Sequence, residues 1–193
     1  MAVATFSRSV PRPVDKLKLQ ECLTAKDSKY LDKVSEFVDD NRDQRSSLMK
    51  PPGSILRIAR LEDTIYKDKP EEVEGWGMFY LPEEVNMRVL GVVEGSPCPS
   101  NELVLMTCED RRLYAYDGEE LHLVALNLQA LEYGEIKYPS TESYYNGQAF
   151  EGMTEEDWVK VKKGDVGRKL DQEHKKLVEE NKASFLESLK SQK

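Results

Sequence analysis

The chain is short of the residues that announce chemistry. It has two histidines and three cysteines in 193 residues, with no C-x-x-C or H-x-x-x-H spacing among them. Zinc sites are built from such close pairs, because one turn then fixes two ligands at once, so no metal centre is expected. There is no G-x-S-x-G elbow, no glycine-rich phosphate loop and no H-E-x-x-H helix. Those absences remove the common signatures of hydrolases, nucleotide binders and metalloproteases, and with them any expected cofactor. No apolar run approaches the roughly 20 residues of a membrane helix, so no membrane partner is expected.

The beginning of the chain, MAVATFSRSVPRPV, lacks an apolar signal core. Pro11 and Pro13 also oppose the amphipathic helix that an organelle leader needs. Residues 1–13 read as disordered and residues 14–193 as a single domain. The cysteine count is odd and no N-x-[ST] acceptor occurs. A reducing cytoplasm therefore fits better than a disulfide framework.

What is present is charge, unevenly placed. Residues 51–150 carry 8 Lys/Arg against 18 Asp/Glu, whereas residues 151–193 balance at 10 and 10. An acidic centre repels phosphate backbones, so nucleic acid is not an expected partner.

Hydrophobic spacing supplies the fold. Residues 14–23 are a helix candidate. A firmer helix follows, capped by Asp27 or Ser28, with Tyr30, Leu31, Val34, Phe37 and Val38 on one stripe. Pro51-Pro52-Gly53 closes this helical region. Residues 54–61 read as a strand, 67–75 as an acidic surface loop, and 78–81 and 85–93 as short strands. Residues 103–108 are apolar on both faces apart from Thr107, the mark of a strand covered on both sides. Residues 112–116 then run to Asp117-Gly118, a dipeptide suited to a tight hairpin, and 121–125 return. Asn127 caps a short helix stopped by Gly134. Residues 136–150 read as an ordered loop, Thr154 and Asp157 as a capping arrangement, and 168–189 as a last helix able to pack on the sheet or to dimerise. The sum is an α+β fold, a mostly antiparallel sheet with N-terminal and C-terminal helices packed on it.

Candidate sites are few. Asp39, Asn41 and Asp43 mimic the start of a calcium loop, but Gln44 and Lys50 stand where glycine and a bidentate glutamate belong. His122 with Cys98 or Cys108, or with the turn carboxylates Glu109, Asp110, Glu119 and Glu120, is the one arrangement open to catalysis as a hydrolase or transferase. Packed histidines and wet turn carboxylates are the plainer reading, so no catalytic residue is assigned. Trp76, between glycines, and the pair Tyr144-Tyr145 are the candidates for partner binding, since aromatics give large contact area at small entropic cost. Trp76 plugging the core is the competing reading. Tyr144-x-Asn146 after Glu142 also has the look of a phosphotyrosine site.

The run RLYAYDGEELHLVALNLQALEYG, residues 112–134, resembles the tail of SMI1/KNR4-type (SUKH-like) domains, where a hairpin strand leads into a short helix. Ala125, Leu128, Leu131 and Tyr133 hold comparable places, with Asn127 at the cap. The family's Leu-Pro-x-x-Tyr opening is not near the beginning of the chain, and only Leu81-Pro82 is similar. The resemblance implies an α+β protein-binding module without catalytic residues, of the kind that serves in regulation, scaffolding and toxin immunity. The expectation is a non-enzymatic interaction or regulatory module, monomeric or weakly dimeric, whose partner is another protein.

Overall fold

The computed structural model describes residues 16–100 and 102–164, together with positions 167, 168, 172, 174–176 and 178. They divide into two compact units, one running to Ala149 and the other starting at Phe150.

The first unit opens with α1 (Lys16–Thr24) and α2 (Asp27–Asp40). Tyr30, Val34, Phe37 and Val38 are buried along α2, the stripe that the spacing predicts. The cap differs from expectation. Lys26 is the N-cap and offers no side-chain acceptor, while Asp27 sits inside the first turn. There its carboxylate faces the positive end of the helix dipole instead of bonding an amide. The helix also ends well before Pro51: the Asn41 N–H and Nδ2 both donate to Phe37 O, and Asp43 turns the chain at φ 64°. The calcium-like triplet is thus a helix end, with Asp39 paired to Arg60.

Seven strands follow: β1 (Arg45–Ser47), β2 (Ile55–Ile58), β3 (Arg88–Glu94), β4 (Leu103–Thr107), β5 (Leu113–Tyr116), β6 (Glu120–Ala125) and β7 (Ser143–Tyr145). Each pairs antiparallel with its chain neighbour, so sheet order equals chain order. The fold class is therefore the expected α+β, with an antiparallel sheet and helices before and after it. All five β4 residues are buried, as a strand covered on both sides must be. On one face Leu56, Leu105 and Leu113 pack with α1 and α2. On the other, Val104, Met106 and Tyr114 pack with Trp76 and Tyr80.

Two polar contacts fix the helices to the sheet. Thr107 Oγ1 donates to Arg112 O (2.7 Å), which leaves it to accept the hydroxyl proton of Tyr30 at 2.9 Å. Arg111 sends its guanidinium to Leu23 O and Ala25 O, at 3.1 and 2.6 Å, satisfying carbonyls where α1 ends.

Three sequence expectations are corrected. The acidic stretch 67–75 is not a loop: most of it lies in α3 (Pro70–Met78), with Pro70 at its start and Glu71 and Glu72 in the first turn. Gly75 and Gly77 hide this helix by lowering its intrinsic propensity. Gly77 is there for packing, since a Cβ would stand 2.1 Å from Val85 O. The strand expected at 78–81 is accordingly a helix end and turn. Residues 136–150 include a strand, β7, that their turn-forming composition conceals.

After Asn127, whose side chain accepts the Gln129 N–H, a 3-10 helix (Leu128–Glu132) leads to Gly134 at φ 63°. Gly134 O then receives the N–H groups of Met49 and Lys50, Ile136 N donates to Lys50 O, and Lys137 N to Val124 O. Residues 134–137 thereby link the far end of β6 to the chain just beyond β1.

In the second unit Thr154 opens α4 (Glu155–Lys163) through a reciprocal capping box with Asp157, and Trp158 packs on Phe150 at 5.6 Å. The segment 1–13 and most of the helix expected at 168–189 lie outside the described residues. No helix among the described residues is long and apolar enough to cross a membrane.

Candidate functional site: a cleft where strand β2 ends

Of the side chains suspected of catalysis, Cys108 and the carboxylates of Glu109 and Asp110 stand away from His122, whereas Cys98 lies beside the group that holds it, its Sγ donating to Asp117 O at 3.4 Å. His122 alternates along β6 with Leu121 and Leu123, which share a cluster with Cys108, so His122 and Cys108 lie on opposite faces. Cys108 is buried, and burial pushes its thiol up to about 12. It is neutral at ordinary pH and a poor nucleophile. Glu109 is engaged by the backbone and side chain of Asn86. Asp110 and Glu119 belong to the two turns at opposite ends of β5.

His122 instead joins a polar latch through one ring nitrogen, its buried Nδ1 having no partner among the described residues. Its Nε2 lies 3.0 Å from Asp117 Oδ2, which also accepts the Tyr138 hydroxyl at 3.2 Å. Asp117 Oδ1 accepts the N–H groups of Glu119 and Glu120 at 3.0 and 2.9 Å. Burial alone would raise the Asp117 carboxyl. The two backbone donors and His122 outweigh it and hold the group below its ordinary value. Both carboxylate oxygens are occupied, and Gly118 completes the hairpin at φ 102°. The arrangement pins the β5–β6 turn. Among the described residues no three His, Cys, Asp or Glu side chains gather as a metal ion would need.

Of the aromatic candidates, Trp76 lies on α3, not on a loop, and is 0% exposed. It sits in an aromatic nest with Tyr66 at 5.2 Å and Tyr116 at 5.3 Å, which is the core-plug reading of this residue. Tyr144 is half-buried against Tyr114 and donates to Glu142 at 2.7 Å. Tyr145, the next residue along β7, is 46% exposed.

The sheet does leave a concave site elsewhere. Strand β2 stops at Ile58, opposite Gly91, whereas β3 begins three residues earlier at Arg88. Past Ile58 one more bond follows, from Ala59 N to Leu90 O. The chain then turns away at Arg60, whose N–H is capped by the Asp63 side chain, into a 3-10 turn (Leu61–Asp63). The gap beside Arg88 and Val89 is a cleft of about 330 Å³. Ser35, Val38 and Asp39 of α2 line it, with Arg60, Leu61 and Glu62, Val73 and Trp76 of α3, and Met87 to Val89.

Six of its eleven lining residues are apolar and five polar, and the polar groups are unequal. Arg60 Nε is held by Asp39 Oδ1 at 2.5 Å. The guanidinium of Arg88 and the carboxylate of Glu62 are exposed, and neither makes a hydrogen bond or ion pair with the described residues. Trp76 Nε1 is buried and has no acceptor. Sequence reasoning reached Trp76 but none of the other lining residues, because the cleft is created by where β2 ends, and strand ends are poorly written in sequence.

An α+β domain with a cleft beside its sheet is the class these observations define. Residues 27–135, more than half of the chain, match the US22-like family, and the chain belongs to it. It is 39% identical over 101 residues to the uncharacterized protein 005R of Frog virus 3 (isolate Goorha), covering 51% of this chain and 49% of that protein. It is 32% identical over 124 residues to the uncharacterized gene 87 protein of Gallid herpesvirus 2 (strain Chicken/Md5/ATCC VR-987), covering 63% and 69%. The uncharacterized protein FPV250 of Fowlpox virus (strain NVSL) is 28% identical over 111 residues, 56% of this chain and 76% of that protein. The chain thus spans about half the length of the first of these relatives. No solved structure matches it. The family found is US22-like and not the SMI1/KNR4 type that residues 112–134 resemble. Every residue lining the cleft falls inside the matched span, whereas Tyr144 and Tyr145 fall beyond it.

Proposed function

We propose that this chain is a non-enzymatic binding module that regulates or scaffolds another protein. The observation that carries the reading is the cleft beside β3, with a mixed apolar and charged lining and an unpaired guanidinium at Arg88. Its volume lies at the low end for small-molecule sites, which suits one or two side chains of a partner better than a cofactor. Two further facts support it: the histidine is committed to a latch, and the turn carboxylates lie at separate ends of β5. The resemblance of residues 112–134 to SMI1/KNR4-type domains, themselves interaction modules, agrees with it. Tyr144 and Tyr145 on β7 are a second candidate contact, and the free thiols are in keeping with a reducing cytoplasm.

The test is site-specific photocrosslinking of the full chain in cell lysate, with the probe at Val89, at Tyr145 and at the exposed control Glu156. A protein captured from Val89 in stoichiometric amount, and not from Glu156, is the expected result. Turnover of a substrate lost in His122→Ala, with no protein captured from Val89 or Tyr145, would refute the reading.

A further inference from the structure

The charged groups of the cleft are Asp39 and Arg60, which pair with each other, and Glu62 and Arg88, which do not pair, so Arg88 is its available cation. Arg88 is a cation without a partner in a stretch that carries 18 acids and 8 bases, where most basic groups find one. Arg60 pairs with Asp39, Arg57 with Glu94 and Arg111 with Asp27. A guanidinium presents a planar fork that matches a carboxylate. The second unsatisfied group is the indole N–H of Trp76, fully buried in the cleft wall. A buried donor without an acceptor is unfavourable, so an acceptor brought into the cleft gains by meeting it. Met87, half-buried in the same lining, is unbranched and the side chain best able to yield.

Space and charge narrow the ligand. About 330 Å³ holds one large apolar side chain, and Val38, Leu61, Val73 and Val89 would surround it. The carboxylate must therefore hang close to that side chain. A polyacidic segment is disfavoured, because the net charge of −8 repels it; a single carboxylate at Arg88 is not. In a chain-terminal residue, side chain and carboxylate share one Cα, so the fewest bonds are frozen on binding.

Resting on the binding-module reading, we infer that the cleft captures the C-terminal residue of a partner protein. That residue has a large apolar side chain, seated against Trp76 and Val73, and its α-carboxylate is held by Arg88.

The test is a titration of the full chain with Ac-Gly-Gly-Leu-OH, followed by amide NMR. The two tryptophans give separate indole N–H signals, and Trp76→Phe identifies the one that reports on the cleft. Saturable movement of the Trp76 signal is expected. Weakening of about tenfold or more is expected for the amide Ac-Gly-Gly-Leu-NH2 and for Arg88→Gln, as loss of a charge-assisted contact implies. Val73→Phe, which fills the cleft and leaves Arg88 in place, should abolish binding, and an otherwise unchanged spectrum verifies folding of each variant. The inference is overturned if the Trp76 signal does not move, if acid and amide bind alike, or if Arg88→Gln binds normally. It is equally overturned if only an internal acid, Ac-Gly-Leu-Asp-Gly-NH2, binds. In any of these cases continued crosslinking of a protein to the chain leaves the binding-module reading standing, so the two fail separately.

Discussion

Replacing Asp117 by alanine tests whether the latch is structural. The residue is 7% exposed and its carboxylate takes four donors: two backbone amides, the His122 ring and the Tyr138 hydroxyl. The freed amides of Glu119 and Glu120 lie in a turn, where water replaces the carboxylate at small cost. His122 is only 6% exposed, and there water cannot do so. Removing one partner of a buried, charge-assisted pair costs about 3–5 kcal/mol, and the rehydrated turn places the expectation near 3. Asp117→Asn keeps an acceptor for the turn amides and should cost about half as much. With a urea dependence of about 2 kcal/mol per molar, the alanine variant should unfold about 1.5 M earlier. Near-UV circular dichroism of the tyrosine cluster reads this directly. The pH dependence has a definite sign. The Asp117 carboxyl is lowered in the folded chain, so its contribution is complete above the unfolded value of about 4 and is lost as pH falls through the folded value. The part of the gap between native and alanine proteins that the carboxylate supplies should therefore close below about pH 4. A midpoint shift under about 0.5 M at pH 7, or a gap that widens below about pH 4, would refute the reasoning.

Other expectations are simpler to check. Gly77→Ala places a methyl 2.1 Å from Val85 O, so α3 and the loop must separate at a cost of about 2–3 kcal/mol, seen as a lower thermal midpoint. Tyr30→Phe removes the tie to Thr107 and should cost about 1 kcal/mol in urea unfolding; no loss would mean that the tie is not formed. With burial pushing Cys22 up to about 11 and Cys108 to about 12, a disulfide reagent at pH 8 should titrate Cys98 quickly and those two only on unfolding. Thr154→Ala should cost α4 about 1 kcal/mol, read as faster amide exchange at residues 156–158.

What the sequence revealed depended on whether a segment is governed by its own period. Strand β4 and the β5–β6 hairpin were legible because apolar runs and Asp117-Gly118 act locally. The stripe of α2 and the Thr154 box were legible for the same reason. Helix α3 was not, because its glycines answer to a contact with residue 85 that no local rule contains. Strands β1 and β7 are three residues each, too short to show an alternation. The same distinction explains the sites. His122 offered a familiar chemical type, but its partner Asp117 was read only as a turn residue. Arg88 carried no signal at all, since what singles it out is that its guanidinium forms no ion pair with the described residues although Asp39 and Glu62 line the same cleft.

The link made by residues 134–137 has a consequence for how the molecule comes apart. A meander in which each strand touches only its neighbours could be peeled from the β1 end one hairpin at a time. Tying Lys50 to Glu135 and Ile136 forbids that, because the first hairpin cannot leave until the turn after β6 lets go. The matched span 27–135 includes Lys50, Gly134 and Glu135 and stops one residue short of Ile136. Loss of the outer strands and exposure of the shared apolar layer should therefore occur as one event, which keeps sticky sheet edges out of solution until the whole unit gives way.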